Sequence, residues 1–536
     1  MTGAGELGVN LIQRVNVGDL LTRSAARFPA RLAVADGERR LSYADFNALV
    51  NRTAHGLLAL GYTRGDALAV ASGNSLEFLA TYFACAKTGI VCVPVNLGWR
   101  PNEVTYVLEH SRARGIVVES QLAAAMVPAI AGAGGVREVI VAPGTVTAGL
   151  PRPVDRRWLT FAELGADRPG TDPECYVADR DPLSYLYTSG TTSFPKGVVG
   201  NHTAIYLESL SVALEARFAE DDRIVAMMPM FHTAQLNAFC TPAVAVGAAQ
   251  YLRRGFEPGP LLDLIERERV TQLFGLPMMY RAMLDEPGVG ERDLSSLRRA
   301  CYAMAPMPHD QLRRCLEVFA CDFYLLFGQT EMSPVATFFR PEHQLSHPGA
   351  VGTPVTNVQV GIMAGDGRLL PAGQKGEIVY RGPHTLSEYL RNPEATAEAF
   401  AHGWFHSGDV GLFDDDGVLW FADRRKDVIK TGGENVASIE VEKAVYEVEP
   451  DIAEAVVVGL PHDHWSEAIT AVVVPRPGTR LDPQAIITGV KQRIDPYKAP
   501  KSVIVTDELP RTSTGKIQKN VVRQRYADHY RRTPES

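Results

Sequence analysis

Residues 186–197 read Leu-Tyr-Thr-Ser-Gly-Thr-Thr-Ser-Phe-Pro-Lys-Gly. Five hydroxyl side chains (Thr188, Ser189, Thr191, Thr192 and Ser193) lie within nine residues, with one internal glycine, Gly190, and one lysine, Lys196. A short apolar strand, 184–187, leads into the stretch. Backbone N–H groups and hydroxyls in such a loop can wrap phosphate oxygens, and the lysine adds charge. A linker has similar composition, but a Pro-Lys-Gly stop after a strand is not linker-like. Nor is it a Walker A loop: the second glycine before Lys196 is missing, and Gly197 stands where a Ser or Thr would bind magnesium.

Outward from this loop, helical and strand periods alternate. Helices are expected over 17–27, 42–60, 75–88 and 102–110, and strands over 67–71, 90–95 and 115–118. Asp36-Gly37 marks a hairpin within 31–41, and Ser42 with Asp45 three residues on is close to a capping box. The rhythm returns at 224–228, 261–267, 272–276 and 297–303, which argues for doubly wound parallel sheets. From about 357 to 421 glycines and strands dominate, as in a small β-rich subdomain. Beyond Asp423 the pattern is a compact α+β unit: helix 440–448, strands 452–460 and 468–475, helix 483–494. The fold class is therefore α/β: a large N-terminal body, 1–423, with the β-rich subdomain, and a small C-terminal domain, 424–536.

Composition fits a soluble globular protein, with 46% hydrophobic and 22% charged residues. A length of 536 residues calls for more than one unit. Net charge is −8, which argues against a nucleic-acid binder held by phosphate electrostatics. Of 11 lysines, 8 follow Arg424, so the last fifth carries its own electrostatics. Seven cysteines with no CxxC read as reduced thiols of a cytoplasmic protein. No signal peptide is evident, and no apolar run approaches the ~20 residues that span a bilayer.

Six further stretches accompany the loop: PMFHTAQLN at 229–237, YAMAPMP at 302–308, LFGQTE at 326–331, GWFHSGDVG at 403–411, DRRKDVIKTGGENV at 423–436 and PRTSTGKIQK at 510–519. Glu331 is a hard carboxylate suited to Mg²⁺. Gly328 lets the backbone approach a ligand, and Thr330 offers a hydroxyl. Asp409, between two glycines, can accept a pair of hydroxyls. Lys516 lies in a Thr-Gly-Lys frame near the chain end and is a compact, movable charge.

Together these seven stretches, in this order and across nearly the whole chain, resemble the adenylate-forming ligases: acyl- and aryl-CoA synthetases, peptide-synthetase adenylation domains and beetle luciferases. The resemblance implies that ATP and Mg²⁺ activate a small carboxylic acid as acyl-AMP, and that a thiol then takes the acyl group. It places phosphates on 188–192 and Lys196, adenine on Ala303, Met304, Ala305 and Pro306, and further nucleotide contacts on Phe327, Gly328, Gln329 and Thr330. Thr188 and Glu331 would hold the metal, and Asp409 and Arg424 the ribose. Lys516 would bridge the acyl carboxylate and the α-phosphate. His232 resembles the aromatic gate beside that carboxylate, and Lys426 the hinge on which the small domain swings. Lys430 and residues 432–435 would then face the thioester-forming state.

Pocket candidates His232, Gln235, Asn237, Ala303 and Met304 are mostly neutral. No aspartate in 229–237 could clamp an amino group, so a fatty or aromatic acid is expected rather than an amino acid. The acceptor is coenzyme A or, alternatively, the phosphopantetheine of an acyl carrier protein. A luciferase-like oxidase and a non-catalytic binding module are the readings from other classes. Either a monomer or a homodimer fits. Three residues depart from the family pattern: Ser193 and Glu388 stand where glycine is common, and Met304 is bulkier than the glycine or alanine often found there.

Overall fold

A computed structural model describes residues 3–143, 155–188, 195–305, 307–512 and 517–530. The chain packs as two compact units, Met1–Val360 with Tyr380–Phe405, and Gly361–Val379 with His406–Ser536.

The first unit holds two large sheets. The seven-stranded sheet runs Arg157–Thr160, Glu138–Ala142, Ala113–Glu119, Ala67–Ala71, Val91–Pro94, Pro182–Thr188, Lys196–Asn201, parallel throughout except the last pair. In the nine-stranded sheet, six parallel strands (Leu32–Asp36, Ala249–Leu252, Arg223–Ala226, Gln272–Gly275, Arg299–Tyr302, Asp322–Gly328) are flanked by antiparallel edges.

Period-2 alternation assigns each face. Along Ala67–Ala71, Leu68 and Val70 enter one core and Ala67, Ala69 and Ala71 the other. The first core gathers residues of both sheets around helix Leu76–Thr88, which is buried along its whole length. The second is covered by helices Pro101–His110 and Ser120–Gly132. Truncating a central ring such as Phe83, fully buried, would cost about 3–5 kcal/mol.

Local signals set the ends of these elements. Ser42 Oγ accepts the Asp45 N–H at 3.1 Å, and helix Tyr43–Ala59 follows. The Asp45 carboxylate turns back to the Ser42 hydroxyl rather than to its N–H, so the box is half built. Ser75 caps Leu76–Thr88 in the same way, through the Phe78 N–H.

In the second unit, strands Gln359–Met363, Gly376–Arg381, Phe405–Phe413 and Leu419–Arg424 form a four-stranded sheet in chain order. The C-terminal sheet is five-stranded and centres on the antiparallel pair Ile452–His462 and Ser466–Pro475. These strands, read separately from the sequence, make one long hairpin that turns at 463–465. Helices Ser438–Val448 and Pro483–Arg493 pack on one face through Val441, Val445 and Val490. Helix Lys519–Arg525 packs on the other through Val522. Packing thus groups 361–379 and 406–421 of the expected β-rich segment with the C-terminal chain, and 380–405 with the first unit.

Candidate active site

Thr188 ends the penultimate strand and Lys196 begins the edge strand, and the two are direct cross-strand partners. The strands that flank the hydroxyl-rich stretch are therefore an antiparallel pair at a sheet edge. A Walker A loop instead leads from a strand into a helix, so the topology agrees with its exclusion. Ser189, Gly190, Thr191, Thr192 and Ser193 lie outside the described residues, as do Pro306 and Lys516.

Glu331 sits in the short turn Thr330–Met332, which follows strand Asp322–Gly328 and packs on strand Lys196–Asn201. Its Oε1 accepts the Tyr389 hydroxyl at 2.9 Å. The Lys196 ammonium lies over the same Tyr389 ring, 5.0 Å from its centroid. The main chain joins the same pieces. The Val199 N–H donates to Glu388 O, the Ser387 and Leu390 N–H groups to Val199 O and Gly197 O, and the Leu386 N–H to Glu331 O. Tyr389, a residue sequence reasoning missed, thus links Lys196 and Glu331 at one sheet edge, where Thr188 is the cross-strand partner of Lys196. The only local signal of Tyr389 is an aromatic side chain within a polar run, Ser-Glu-Tyr.

The donor set fits Mg²⁺. Glu331 Oε2 is bonded by no described residue, and the Thr188 hydroxyl adds a second hard oxygen. No cluster of three or more His, Cys, Asp or Glu that could hold a metal exists among the described residues. A metal here would be shared between this carboxylate and substrate phosphates, the usual arrangement for Mg²⁺.

Gly328 serves the chain itself. A Cβ there would stand 2.1 Å from the Pro334 carbonyl oxygen, which also accepts the Gln329 N–H at 2.9 Å. Glycine lets residues 328–334 close tightly, and that closure aims Thr330 and Glu331. Phe327 and Gln329 are half-buried beside it.

After strand Arg299–Tyr302, Ala303 is buried, while Met304 and Ala305 are exposed. Met304 has φ +72°, the left-handed region that favours glycine. This backbone explains why a small residue is common at that position, and the exposed methionine holds a costly conformation.

His232 caps the short helix Thr233–Gln235 from a mostly buried position. Burial lowers its pKa to about 4, so it is neutral at pH 7. No described group bonds its Nε2. Gln235 and Asn237, expected beside the acid, are held within the fold by hydrogen bonds. Both side chains are buried, Gln235 accepting the Met228 N–H at 3.1 Å and Asn237 bonding Tyr82 and Thr233 at 3.1 and 2.9 Å. They hold a π-helical turn, Leu236–Cys240, behind His232.

In the second unit, Asp409 and Arg424 are cross-strand partners, with Arg424 Nε 3.5 Å from the buried Asp409 carboxylate. The Asp409 N–H donates to Ser407 Oγ at 3.0 Å, which fixes the turn. Lys430 is exposed on strand Ile429–Thr431. Burial and the neighbouring Arg424 lower the pKa of Lys426.

Acids flank Lys426 on both sides. The buried Asp423 accepts the Ser438 N–H and hydroxyl at 2.5 and 2.6 Å. Lys519 bonds the same hydroxyl and pairs with Glu442 at 2.9 Å. Asp427 pairs with Arg523 at 2.9 Å. The Arg511–Ile517 bridge and the Gln518 N–H to Pro510 O bond frame the segment that contains Lys516.

A pocket of about 550 Å³ opens in this unit beside residues 431–434, lined also by Trp465, Tyr497 and Lys501. The Lys501 ammonium lies 5.2 Å from the Trp465 ring centroid. Sequence reasoning noted 432–435 but missed these three residues, which lie some 30–70 positions further along and meet 431–434 only through sheet pairing.

Comparison with known proteins agrees with this geometry. The AMP-binding enzyme family matches residues 21–390, and the AMP-binding enzyme C-terminal domain matches 440–516. A feruloyl-CoA synthase from Amycolatopsis sp is 36% identical over 95% of the chain and 99% of its own length. The fatty acid–[acyl-carrier-protein] ligase ScoC of Streptomyces coeruleorubidus is 34% identical over 93% of the chain and 94% of its own. Among solved structures, ATP-bound MatB from Rhodopseudomonas palustris superposes with a TM-score of 0.87 at 28% identity, covering 96% of this chain and all of that one. The chain belongs to the AMP-binding enzymes, the adenylate-forming superfamily of acyl- and aryl-CoA synthetases.

Proposed function

We propose that the chain ligates a fatty or aromatic carboxylic acid to coenzyme A. An acid oxygen attacks the α-phosphorus of ATP and pyrophosphate leaves; the acceptor thiolate then attacks the acyl carbon of the acyl-AMP and AMP leaves. The observation that carries this reading is the convergence of Thr188, Lys196 and Glu331 at one sheet edge. Lys196 supplies positive charge to the phosphates, and Glu331 with Thr188 would hold Mg²⁺. When bound, the metal neutralises charge that grows on the leaving oxygens. Asp409 and Arg424 would take the ribose, and Lys516 the acyl carboxylate and α-phosphate. The neutral His232 borders the acid without titrating near pH 7.

The pocket beside 431–434 supports coenzyme A as acceptor. Its Trp465 and Tyr497 rings and the Lys501 cation suit a nucleotide with phosphates. The alternative, a carrier-protein phosphopantetheine, is supported by the resemblance to ScoC. Unpaired cysteines support a cytoplasmic setting, and no described helix is long and apolar enough to cross a membrane. Lys426 would be the hinge between 1–423 and 424–536. The test is pyrophosphate release over a panel of acids, with coenzyme A, with loaded carrier protein, or with neither. Turnover with coenzyme A alone is expected; turnover only with the carrier protein selects the alternative, and none with any acid refutes the ligase reading.

A further inference from the structure

Tyr389 lies outside every nucleotide-contacting stretch read from the sequence, yet it touches two of their charged residues at once. Its hydroxyl donates to Glu331 Oε1 at 2.9 Å, and its ring carries the Lys196 ammonium at 5.0 Å. The side chain is anchored from behind. Residues 386–390 bond to Glu331 on one side and to strand Lys196–Asn201 on the other, and Tyr389 forms an antiparallel bridge with Val198. Its N–H is also tied to Thr396 Oγ1 at 3.0 Å.

We propose that Tyr389 is a positioning residue for the metal–nucleotide complex, acting through Glu331 and Lys196; this rests on the ligase reading above. The hydroxyl occupies one carboxylate oxygen of Glu331 and turns the other toward the metal. The ring face holds the Lys196 ammonium beside the same carboxylate without a direct ion pair that would neutralise both. Partners that orient a metal-binding carboxylate in this way commonly govern metal affinity.

The two contacts can be separated. Tyr389→Phe keeps the ring over Lys196 and removes the bond to Glu331; Tyr389→Leu removes both. ATP binding, measured by calorimetry with and without Mg²⁺ and without any acid, reads each contact apart from turnover. Tyr389→Phe is expected to keep metal-free ATP affinity within about twofold and to lose about tenfold of the Mg²⁺-dependent gain. Tyr389→Leu is expected to weaken metal-free binding as well, by about three- to fivefold. A Phe variant with the full Mg²⁺-dependent gain overturns the proposal. So does a parallel loss of metal-free and metal-dependent binding in both variants that tracks a drop in melting temperature, because that is a packing role. Acid-stimulated ATP–pyrophosphate exchange in the unaltered chain separates the two failures: its absence removes the ligase reading itself.

Discussion

Ser438→Ala tests whether the Asp423–Ser438–Lys519 link reports on the proposed hinge. The Ser438 hydroxyl is buried, donates to the Asp423 carboxylate at 2.6 Å and receives the Lys519 ammonium. The backbone N–H bond to Asp423 survives the substitution, and Lys519 keeps Glu442. Two hydrogen bonds are lost, and only the one to Asp423 spans Lys426; a hydrogen bond to a charged group is worth about 1.5–2 kcal/mol, or roughly 10- to 30-fold in an equilibrium constant. A turn of the backbone at Lys426 leaves Asp423 on one side and carries Ser438 and Lys519 away on the other. The link can therefore exist in only one of the two arrangements, and its loss shifts the balance toward the other.

The assay measures the half-reactions separately: ATP–pyrophosphate exchange, and single-turnover thioester formation from isolated acyl-AMP. The expected result is a change in opposite directions, with the ratio of the two rates moving by up to about tenfold. Arg523→Met is the control. Asp427 and Arg523 both lie beyond Lys426, so that variant should lower the melting temperature and leave the ratio alone. If Ser438→Ala slows both half-reactions by the same factor, the link is ordinary packing and the reasoning fails.

Burial lowers the pKa of His202 to about 3 and those of His232 and His384 to about 4. Each folded value lies below the unfolded one, so stability is intact above pH 6.5 and lost as pH falls toward 4; at pH 5 each histidine costs about 2 kcal/mol. Glu208, buried with a raised pKa, acts in the opposite sense. His202→Asn keeps an acceptor for the Val17 N–H and should shrink the difference in urea stability between pH 8 and pH 5 by about 2 kcal/mol; an unchanged difference would show that His202 does not titrate this way. Gly328→Ala forces a Cβ against the Pro334 carbonyl and should lower both melting temperature and ATP affinity, by about 1–3 kcal/mol in stability; a variant with native melting would show that residues 328–334 can relax. Met304→Gly should leave stability within about 1 kcal/mol, since relief of positive φ offsets the greater freedom of the unfolded chain and lost contacts, while kcat/KM rises for bulkier acids relative to small ones. An unchanged ranking across the size series would place the Met304 side chain outside the acyl channel.

Much of the fold was legible because burial writes a period into the chain. The strand at 67–71 and the helices at 17–27 and 101–110 announce themselves by apolar spacing and by caps such as Ser42 and Ser75. Pairing partners leave no such trace. Nothing near Pro-Lys-Gly says that Lys196 opens an antiparallel strand rather than a helix, and nothing near Tyr389 names Glu331, 58 residues away. Gln235 and Asn237 show a related gap: their hydrogen bonds to Met228, Tyr82 and Thr233 in and around a π-turn leave no trace in the local sequence. Gly328 reads as a glycine that lets the backbone approach a ligand; the fold adds the Pro334 carbonyl as a close neighbour, because local sequence tells how near a backbone can come and not to what.

The departures from the family pattern sort by the same logic. Glu388 stands where glycine is common, but its role in the sheet is its carbonyl, which accepts the Val199 N–H, and any residue supplies that. Its neighbour Tyr389 points its side chain the other way, as alternation in an extended segment requires, and there identity matters. Met304 is the opposite case. Its backbone occupies the left-handed region, where a side chain costs about 1–2 kcal/mol, and half of it is exposed, so packing returns little. Strain with so little packing in return motivates a test of function at this position. At the end of strand Arg299–Tyr302, where the adenine and acyl sites are expected to meet, the proposed effect is a narrower channel for the acid, which the Met304→Gly size series decides.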